Sequence, residues 1–171
     1  MSLPTVDLRT PPVLPLPLLH SATSALTIAA TFAAPPVLRI ALALPFIRSG
    51  LTRWDGFLSI APSTSFLFTE MFKLHILGGE YPFPFPDAIA FVVGSAELAL
   101  PALLVVGLAT RYAALGLLLM TGVIQLVVPD GWMNFHLYWA AIALAIIALG
   151  GGPLSIDGLL ARRFPKPLAP M

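Results

Sequence analysis

The sequence AIAFVVGSAELALPALLVVGL, residues 88–108, decides the fold class, because a single acid, Glu97, interrupts an otherwise uncharged run of membrane-spanning length. A helix needs about 20 mostly apolar residues to cross the hydrocarbon core of a bilayer. An ionisable side chain inside such a span is costly, so it usually faces a protein interior or a water-filled cavity. Glu97 is therefore the first candidate functional residue of the chain.

The composition of the whole chain is that of an integral membrane protein. Its 171 residues are 58% hydrophobic and 10% charged, with a mean hydropathy of +0.92, whereas soluble domains carry about 25% charged residues. The lipid bilayer is thus its first predicted partner. The net charge of +1 gives no indication of nucleic-acid binding. The absence of cysteine excludes thiol and thiolate–metal chemistry by this chain.

Four apolar segments predict four membrane spans, and the connections between the last three are short. Pro129-Asp-Gly131 is a tight turn, and Thr110-Arg111 is an equally short link. Because such links force neighbouring helices to run antiparallel, we predict an all-α, antiparallel four-helix transmembrane bundle. Its spans are predicted at about residues 37–52, 87–108, 112–128 and 132–149.

The spans define a membrane domain at residues 35–160, flanked by two proline-rich tails. The N-terminal tail, residues 1–34, is too rich in proline at its start for a convincing signal peptide. Its uncharged part, residues 18–34, could extend the first span, lie in the interface or form a fifth span. We favour an interfacial or extending helix. Residues 161–171 form a basic tail that is predicted to be cytoplasmic.

The longest connection, residues 53–86, is predicted to be an outer loop with a functional role. Within it, Phe66–Lys73 could form a short amphipathic helix. Tyr81–Pro86 cannot be helical, because its prolines alternate with aromatic residues, and it resembles a rigid strap at the membrane interface. The loop contributes three polar site candidates, which are Arg53, Asp55 and Glu70.

The distribution of basic residues predicts the orientation of the bundle. With four spans, six of the basic residues fall on one side, and the positive-inside rule places that side in the cytoplasm together with both termini. The residues on that side are Arg9, Arg39, Arg111, Arg162, Arg163 and Lys166.

Four polar residues are predicted to lie in the outer half of the bundle, near Trp132, and to line a polar pocket. Glu97 is ten residues from Asp87, which corresponds to a depth of about 15 Å. Each residue also has a purely structural interpretation: Glu97 could pair with Arg48 or be protonated, Arg48 could anchor the interface, Gln125 could link helices, and His136 could belong to an aromatic belt. We expect a pocket formed by Arg48, Glu97, Gln125, His136 and Trp132.

The sequence contains no motif for a metal, haem or nucleotide site. His20, His75 and His136 are scattered and lack the spacing of metal-ligand pairs. No metal site is therefore predicted, and the cofactor stays undetermined, although a quinone would suit the apolar pocket.

From residue 37 to about residue 160, the order of motifs resembles the DoxX family of small bacterial membrane proteins. Arg53 stands where the family usually has lysine, which keeps the charge. The matching stretches are Leu38-Arg39, Phe46–Gly50, Arg53-Trp-Asp55, Phe66–Glu70, Ala96-Glu-Leu98 with Pro101, Gly107–Leu115, Val123-Ile-Gln125, Trp132, His136, Trp139 and Gly151–Asp157.

The resemblance implies a multi-pass protein of the bacterial inner membrane, and it leaves several activities open. Family members are linked to quinone and sulfur metabolism as oxidoreductase subunits, and others to oxidative-stress complexes. The leading hypothesis is a quinone-linked redox subunit, with Glu97 as candidate proton carrier and His136 on a quinone carbonyl. It would assist a membrane or periplasmic redox partner rather than act as an enzyme alone. The alternatives are a non-enzymatic scaffold or partner-binding subunit, and a small transporter; a homo-oligomer is compatible with each.

Overall fold

The computed structural model describes the backbone of residues 16–164 and the side chains of residues 23–164. Residues 1–15 and 165–171, which contain most of the predicted tails, lie outside the described range. Within it, the protein is mostly helical and has four helical segments that are long and apolar enough to cross a membrane. These segments are Thr23–Leu51, Pro86–Val106, Thr110–Val127 and Pro129–Leu149. The predicted all-α membrane fold with four spanning helices is thus confirmed.

Between residues 16 and 164, six α-helices and two small β-hairpins follow one another. The 3-10 turn Pro129–Gly131 and the π-turn Trp132–His136 lead into the fourth span. The helices are α1 (Leu16–Leu51), α2 (Pro62–Phe66), α3 (Pro86–Val106), α4 (Thr110–Val127), α5 (Leu137–Leu149) and α6 (Ile156–Arg163); the strands are β1 (Trp54–Gly56), β2 (Ser59–Ile60), β3 (Lys73–Ile76) and β4 (Gly79–Pro82).

Helix α1 is continuous, so residues 18–34 extend the first span and do not form a fifth one. It runs for 36 residues, or about 54 Å, which exceeds the roughly 30 Å of a hydrocarbon core. The side chains of residues 23–33 are exposed, and burial begins at Ala34 and Pro35. Pro35 and Pro36 lie inside α1 and do not end it; Pro35 packs against Gly152 in the loop after α5.

The core lies where α1, α3, α4 and α5 meet, and it consists of apolar side chains of unequal size. Small residues on one helix face large residues on another, which gives the close packing of protein interiors. The core residues are Leu42, Phe46, Leu104, Ala113, Ala114, Leu117, Ala143 and Ile146.

One end of the bundle, here called the hairpin end, carries both β-hairpins. Strand β1 pairs with β2, and β3 pairs with β4, both antiparallel. The second hairpin is attached to α4 by a 3.0 Å contact between His75 Nδ1 and the carbonyl of Leu126. The predicted amphipathic helix over Phe66–Lys73 is wrong in its bounds: α2 ends at Phe66, a π-turn covers Leu67–Met71, and Lys73 begins a strand.

The opposite end, here called the Gly107 end, is held by the buried residue Arg39 on α1. Its guanidinium donates to the carbonyls of Leu104 and Val105 at 3.4 Å and to that of Leu154 at 2.8 Å. The carbonyls at the C-terminus of α3 carry partial negative charge and have no partners within the helix, so a cation there satisfies both needs. Gly107 has a φ of 72°, and a Cβ at that position would overlap Arg39.

Asp157 makes the matching contacts at the start of α4. Its carboxylate accepts from the backbone amides of Ala109 and Thr110, both at 2.8 Å, and from the Thr110 hydroxyl at 2.7 Å. Partial burial acts to raise the pKa of Asp157, but the hydrogen bonds from Thr110 and Ala109, together with the charge of Arg39, outweigh it and hold the pKa below its ordinary value. Asp157 thereby joins α6 to the α3–α4 link.

We expect Asp157→Asn to lower the free energy of unfolding by about 1–2 kcal/mol, because an amide cannot accept all three hydrogen bonds. The side chain is partly exposed to solvent, so the loss is at the low end of the range for hydrogen bonds to charged groups. Because the pKa of Asp157 is lower in the folded protein, its ionised carboxylate stabilises the fold at a pH above the ordinary pKa of 3.8. This stabilisation is lost as the pH falls through the pKa of the folded state. Unfolding titrations in detergent should therefore show the two proteins converging below pH 3.8.

Asp130→Asn is the matched control, because Asp130 is exposed in the turn before α5. A stability difference for Asp157→Asn that persists unchanged at low pH, or one that Asp130→Asn reproduces, contradicts the role assigned to Asp157.

Candidate functional site

Glu97 lies in the middle of α3 and faces the interior of the bundle, where only 2% of the residue is exposed. It pairs with Arg53, which follows the C-terminus of α1: Arg53 Nε lies 3.0 Å from Glu97 Oε2, and Arg53 Nη2 lies 3.4 Å from Oε1. Ser49 donates to Oε1 at 3.0 Å and accepts from Arg53 Nη2 at 3.2 Å. Both carboxylate oxygens are thus satisfied, as a buried charge requires.

Two glycines allow the helices to approach closely enough for this pairing. A Cβ on Gly50 of α1 would lie 3.0 Å from Glu97 Cβ and 2.8 Å from the side chain of Leu98. A Cβ on Gly94 of α3 would lie 3.3 Å from Arg53 Cβ. Small residues at such crossings let membrane helices pack backbone to backbone, and here they bring Ser49, Arg53 and Glu97 to one level.

The ion pair forms part of the wall of a cavity of ≈ 430 Å³ between α1, α3, α4 and the connection between α1 and α3. The size falls within the usual range for small-molecule sites, about 300–1,000 Å³. Apart from Ser49, Arg53 and Glu97, the wall is apolar or aromatic. It consists of Pro45, Phe46, Phe68, Phe72, Phe83, Ile89, Val92, Val93, Ala96, Leu100, Gly116, Leu119, Met120, Val123, Ile124, Val127, Val128 and Trp139.

The cavity is open towards the lipid-facing side of α3 and α4. Val92 on α3 and Leu119 on α4 both line the cavity and are both 64% exposed, and Val123 is 44% exposed. Nearer the Gly107 end the same two helices are in tight contact, because a Cβ on Gly116 would lie 2.8 Å from the side chain of Leu100. The gap between α3 and α4 thus gives the cavity a lateral opening.

Aromatic rings and one guanidinium decide the chemistry of the cavity. Arg53 Cζ lies 5.6 Å from the centre of the Phe68 ring and 6.0 Å from that of Phe72, both within cation–π range. Phe83 tilts against Phe68, with ring centres 5.8 Å apart. Among the described residues, Arg53 Nη1 has no hydrogen-bond acceptor, so it is a charged donor that remains available to a ligand.

The structure does not bring the predicted polar cluster together. Arg48 is exposed and does not line the cavity, and the prediction that it pairs with Glu97 is wrong: Arg53, five residues further on, is the partner. Arg53 ends up inward because the chain leaves α1 at Leu51 and turns over the bundle. The sequence does not define the residue at which α1 ends, so it does not predict which of the two arginines faces the interior of the bundle.

Gln125 and His136 form a separate pair outside the cavity wall. His136 Nδ1 lies 2.6 Å from Gln125 Oε1, and Gln125 Nε2 donates to the Pro129 carbonyl at 2.9 Å. The ring of Trp139 contacts the rings of both His136 and Phe46, with centres 5.4 and 5.2 Å away. Trp139, not His136, thus reaches the cavity wall, and the half-exposed Trp132 lies away from it.

Of the three outer-loop candidates, only Arg53 reaches the cavity. Asp55 on β1 and Glu70 in the π-turn are exposed at the hairpin end. No group of three or more His, Cys, Asp or Glu residues that could hold a metal ion occurs in the described part of the chain.

The sequence prediction missed Ser49 and the aromatic side of the cavity, formed by Phe68, Phe72, Phe83 and Trp139. A signal for Ser49 was present, since it precedes Arg53 by four residues, the spacing that puts two side chains on one helix face. The three phenylalanines had no comparable signal, because their positions depend on how the connection folds back over the helices.

We expect Glu97→Leu alone to lower the free energy of unfolding by about 3–5 kcal/mol, because it leaves Arg53 without its partner in a largely buried position. The double variant Arg53→Met, Glu97→Leu should recover most of that loss, so that a double-mutant cycle gives a strong coupling energy. Arg48→Met should stay within about 0.5 kcal/mol of the wild type. Additive single effects, or coupling of Glu97 with Arg48 instead, contradict the pairing.

Comparison with known proteins gives the family but no activity. The chain is 29% identical over 141 residues to an uncharacterised protein of Haemophilus influenzae, which covers 75% of this chain and 84% of that protein. No solved structure matches significantly. The family model described as DoxX matches residues 34–130, which include α1 from its buried part, both hairpins, α3 and α4. The protein is a multi-pass membrane protein and belongs to the DoxX family.

Proposed function

We propose that the cavity beside the Arg53–Glu97 pair binds a membrane-soluble molecule whose polar head is an uncharged hydrogen-bond acceptor, and that an isoprenoid quinone is the leading occupant. The observation that carries this proposal is a free charged donor, Arg53 Nη1, at the edge of an otherwise apolar and aromatic cavity that opens sideways between α3 and α4.

Charge balance favours a neutral head over an anionic one. The positive charge of Arg53 is already compensated by Glu97 at 3.0 Å, so a carboxylate or phosphate would meet Glu97 as a like charge. A carbonyl oxygen needs only one hydrogen-bond donor, and Arg53 Nη1 supplies it. Phe68 and Phe72 offer ring surfaces beside that donor on which a planar head can stack.

The lateral opening suits a molecule that arrives from the bilayer. An isoprenoid chain can leave the cavity past Val92 and Leu119 into the lipid without losing apolar surroundings. The orientation predicted from the basic residues would put the hairpin end, and with it the cavity, on the periplasmic side of a bacterial inner membrane.

Within this proposal the roles of the predicted residues change. Arg53 takes the carbonyl contact that the sequence hypothesis gave to His136. Glu97 holds the guanidinium in position through Nε and Nη2, which leaves Nη1 for the ligand. Its proposed role is thus positioning rather than proton transfer, and a redox reaction would need a partner subunit.

The test is binding of short-chain ubiquinone and menaquinone analogues to the purified protein. Binding is measured by thermal stabilisation and by equilibrium titration. We expect stabilisation by at least one of the two. Arg53→Lys should weaken binding about tenfold or more, because it removes the fixed fork of donors and their hydrogen bond.

A matched pair of alanines on α3 separates cavity binding from general partitioning of a hydrophobic molecule. Ala96 lines the cavity, whereas Ala99 is exposed and does not. Ala96→Phe should abolish the stabilisation, and Ala99→Phe should leave it unchanged. Stabilisation that survives Ala96→Phe, or none with either quinone in the wild type, rules out the proposal.

A second candidate function, docking of a protein partner at the hairpin end, has its own observation. The two hairpin turns and the residue before α3 expose large apolar side chains: Phe57 is 95% exposed, Leu77 is fully exposed and Phe85 is 83% exposed. Exposed apolar groups of this kind typically mark interaction sites. This candidate is the scaffold or partner-binding alternative, with the proposed docking surface in the connection between α1 and α3.

Photo-crosslinking from position 77 in native membranes tests the second candidate, with position 115 on the lipid-facing side of α4 as the control. A discrete protein adduct from position 77 alone is the expected result. Adducts with lipid only, or the same adducts from both positions, would show that the hairpin turn contacts the membrane instead.

A further inference from the structure

A second recess lies at the Gly107 end, far along the bundle from the Arg53–Glu97 pair. It is an open groove of ≈ 600 Å³ between the first turn of α4 and helix α6, and the loop of Gly150, Gly151 and Gly152 forms its floor. Arg111 and Tyr112 line it from α4, and Ala161 lines it from α6.

Arg111 is the one basic side chain in the wall of the groove, and it makes no ion pair with a described residue. Arg111 is exposed, and its Nη2 donates only to the Ala148 carbonyl at 3.4 Å. Asp157 is the one acid in the wall of the groove, and its oxygens are taken up by the amides of Ala109 and Thr110 and by the Thr110 hydroxyl. In the described part of the chain, no carboxylate pairs with Arg111.

Two further arginines stand beside the groove. Arg162 and Arg163 follow Ala161 directly at the end of α6, and both are exposed without an ion pair among the described residues. Their neighbours along α6 are apolar and equally uncovered: Leu159 is 60% exposed and Leu160 is 45% exposed. Tyr112, 76% exposed, offers a further ring on the opposite wall.

Basic and apolar side chains exposed together indicate a surface that lies in the membrane interface. Leucine and tyrosine enter the level of the acyl chains, while arginine reaches the head groups. Clusters of basic residues next to a membrane span attract anionic lipids, and basic pockets between spans bind their head groups. The groove lies at the end of two spanning helices, which is the depth of the head groups.

We propose that this groove binds the head group of an anionic phospholipid, with Arg111 on the phosphate, Arg162 and Arg163 beside it, and the leucines of α6 against the acyl chains. The apolar face of α6 selects a lipid over a free phosphate, because a soluble anion would leave Leu159 and Leu160 uncovered. The site is independent of the Arg53 cavity and of its ligand.

The test is lipid retention by the protein in a neutral detergent, measured by native mass spectrometry with equal amounts of phosphatidylglycerol and phosphatidylcholine of the same chain length. We expect a clear preference for phosphatidylglycerol. Each arginine removed should reduce it about fivefold, since a basic residue near an anionic surface contributes about 1 kcal/mol.

Arg111→Gln and Arg48→Gln form the matched pair, because both remove one exposed arginine near the end of a spanning helix, and only Arg111 lines the groove. Arg111→Gln should reduce the preference about fivefold and Arg48→Gln should leave it unchanged. An equal loss in both shows general charge attraction and overturns the site.

Two further measurements complete the test. The double variant Arg162→Gln, Arg163→Gln should also weaken retention of phosphatidylglycerol. Both positions are exposed, so the substitutions should not affect folding. Unchanged retention of the lipid excludes α6 from the site. Inorganic phosphate added in excess should not displace the lipid. Displacement by free phosphate, or equal retention of the two lipids by the wild type, contradicts the proposal.

Discussion

A buried charge in an apolar helix bundle must find an opposite charge and hydrogen-bond partners, and this requirement governs both ends of the protein. Glu97 meets it with Arg53 and Ser49. Arg39 donates to carbonyls at the end of α3 and to that of Leu154, and the opposite charge near it is Asp157; its Nε has no partner among the described residues. Neither charge lies on the same helix as its partners, so each contact fixes the position of one helix against another.

The two polar sites connect different elements at the two ends of the bundle. At the Gly107 end, Arg39 and Asp157 tie α1, α6 and the α3–α4 link together, and the helices stay in close contact. At the hairpin end, the Arg53–Glu97 pair joins α1 to α3 but leaves α4 further away. The cavity arises from this asymmetry, since α3 and α4 touch at Gly116 and Leu100 and are apart beyond it.

The aromatic side chains of the connection between α1 and α3 cover that gap and complete the wall of the cavity. Phe68 and Phe72 pack over the guanidinium of Arg53, so the residues that close the cavity also hold this charged donor in place. The proposed ligand and the proposed anionic lipid follow from opposite charge states. Glu97 neutralises Arg53, so a neutral acceptor fits that cavity; Arg111 makes no ion pair among the described residues, so an anion fits the groove.

The sequence by itself determined the membrane class, the four spans and the importance of Glu97, because apolar length and an isolated acid act locally along the chain. The order of motifs from residue 37 to about residue 160 also indicated the family, and the family model matches residues 34–130. Only the tertiary structure decided that Arg53 and not Arg48 pairs with Glu97, that Gln125 and His136 pair elsewhere, and that three loop phenylalanines line the cavity. Those outcomes depend on how helices rotate and how a long connection folds back, and hydrophobic patterns do not encode either.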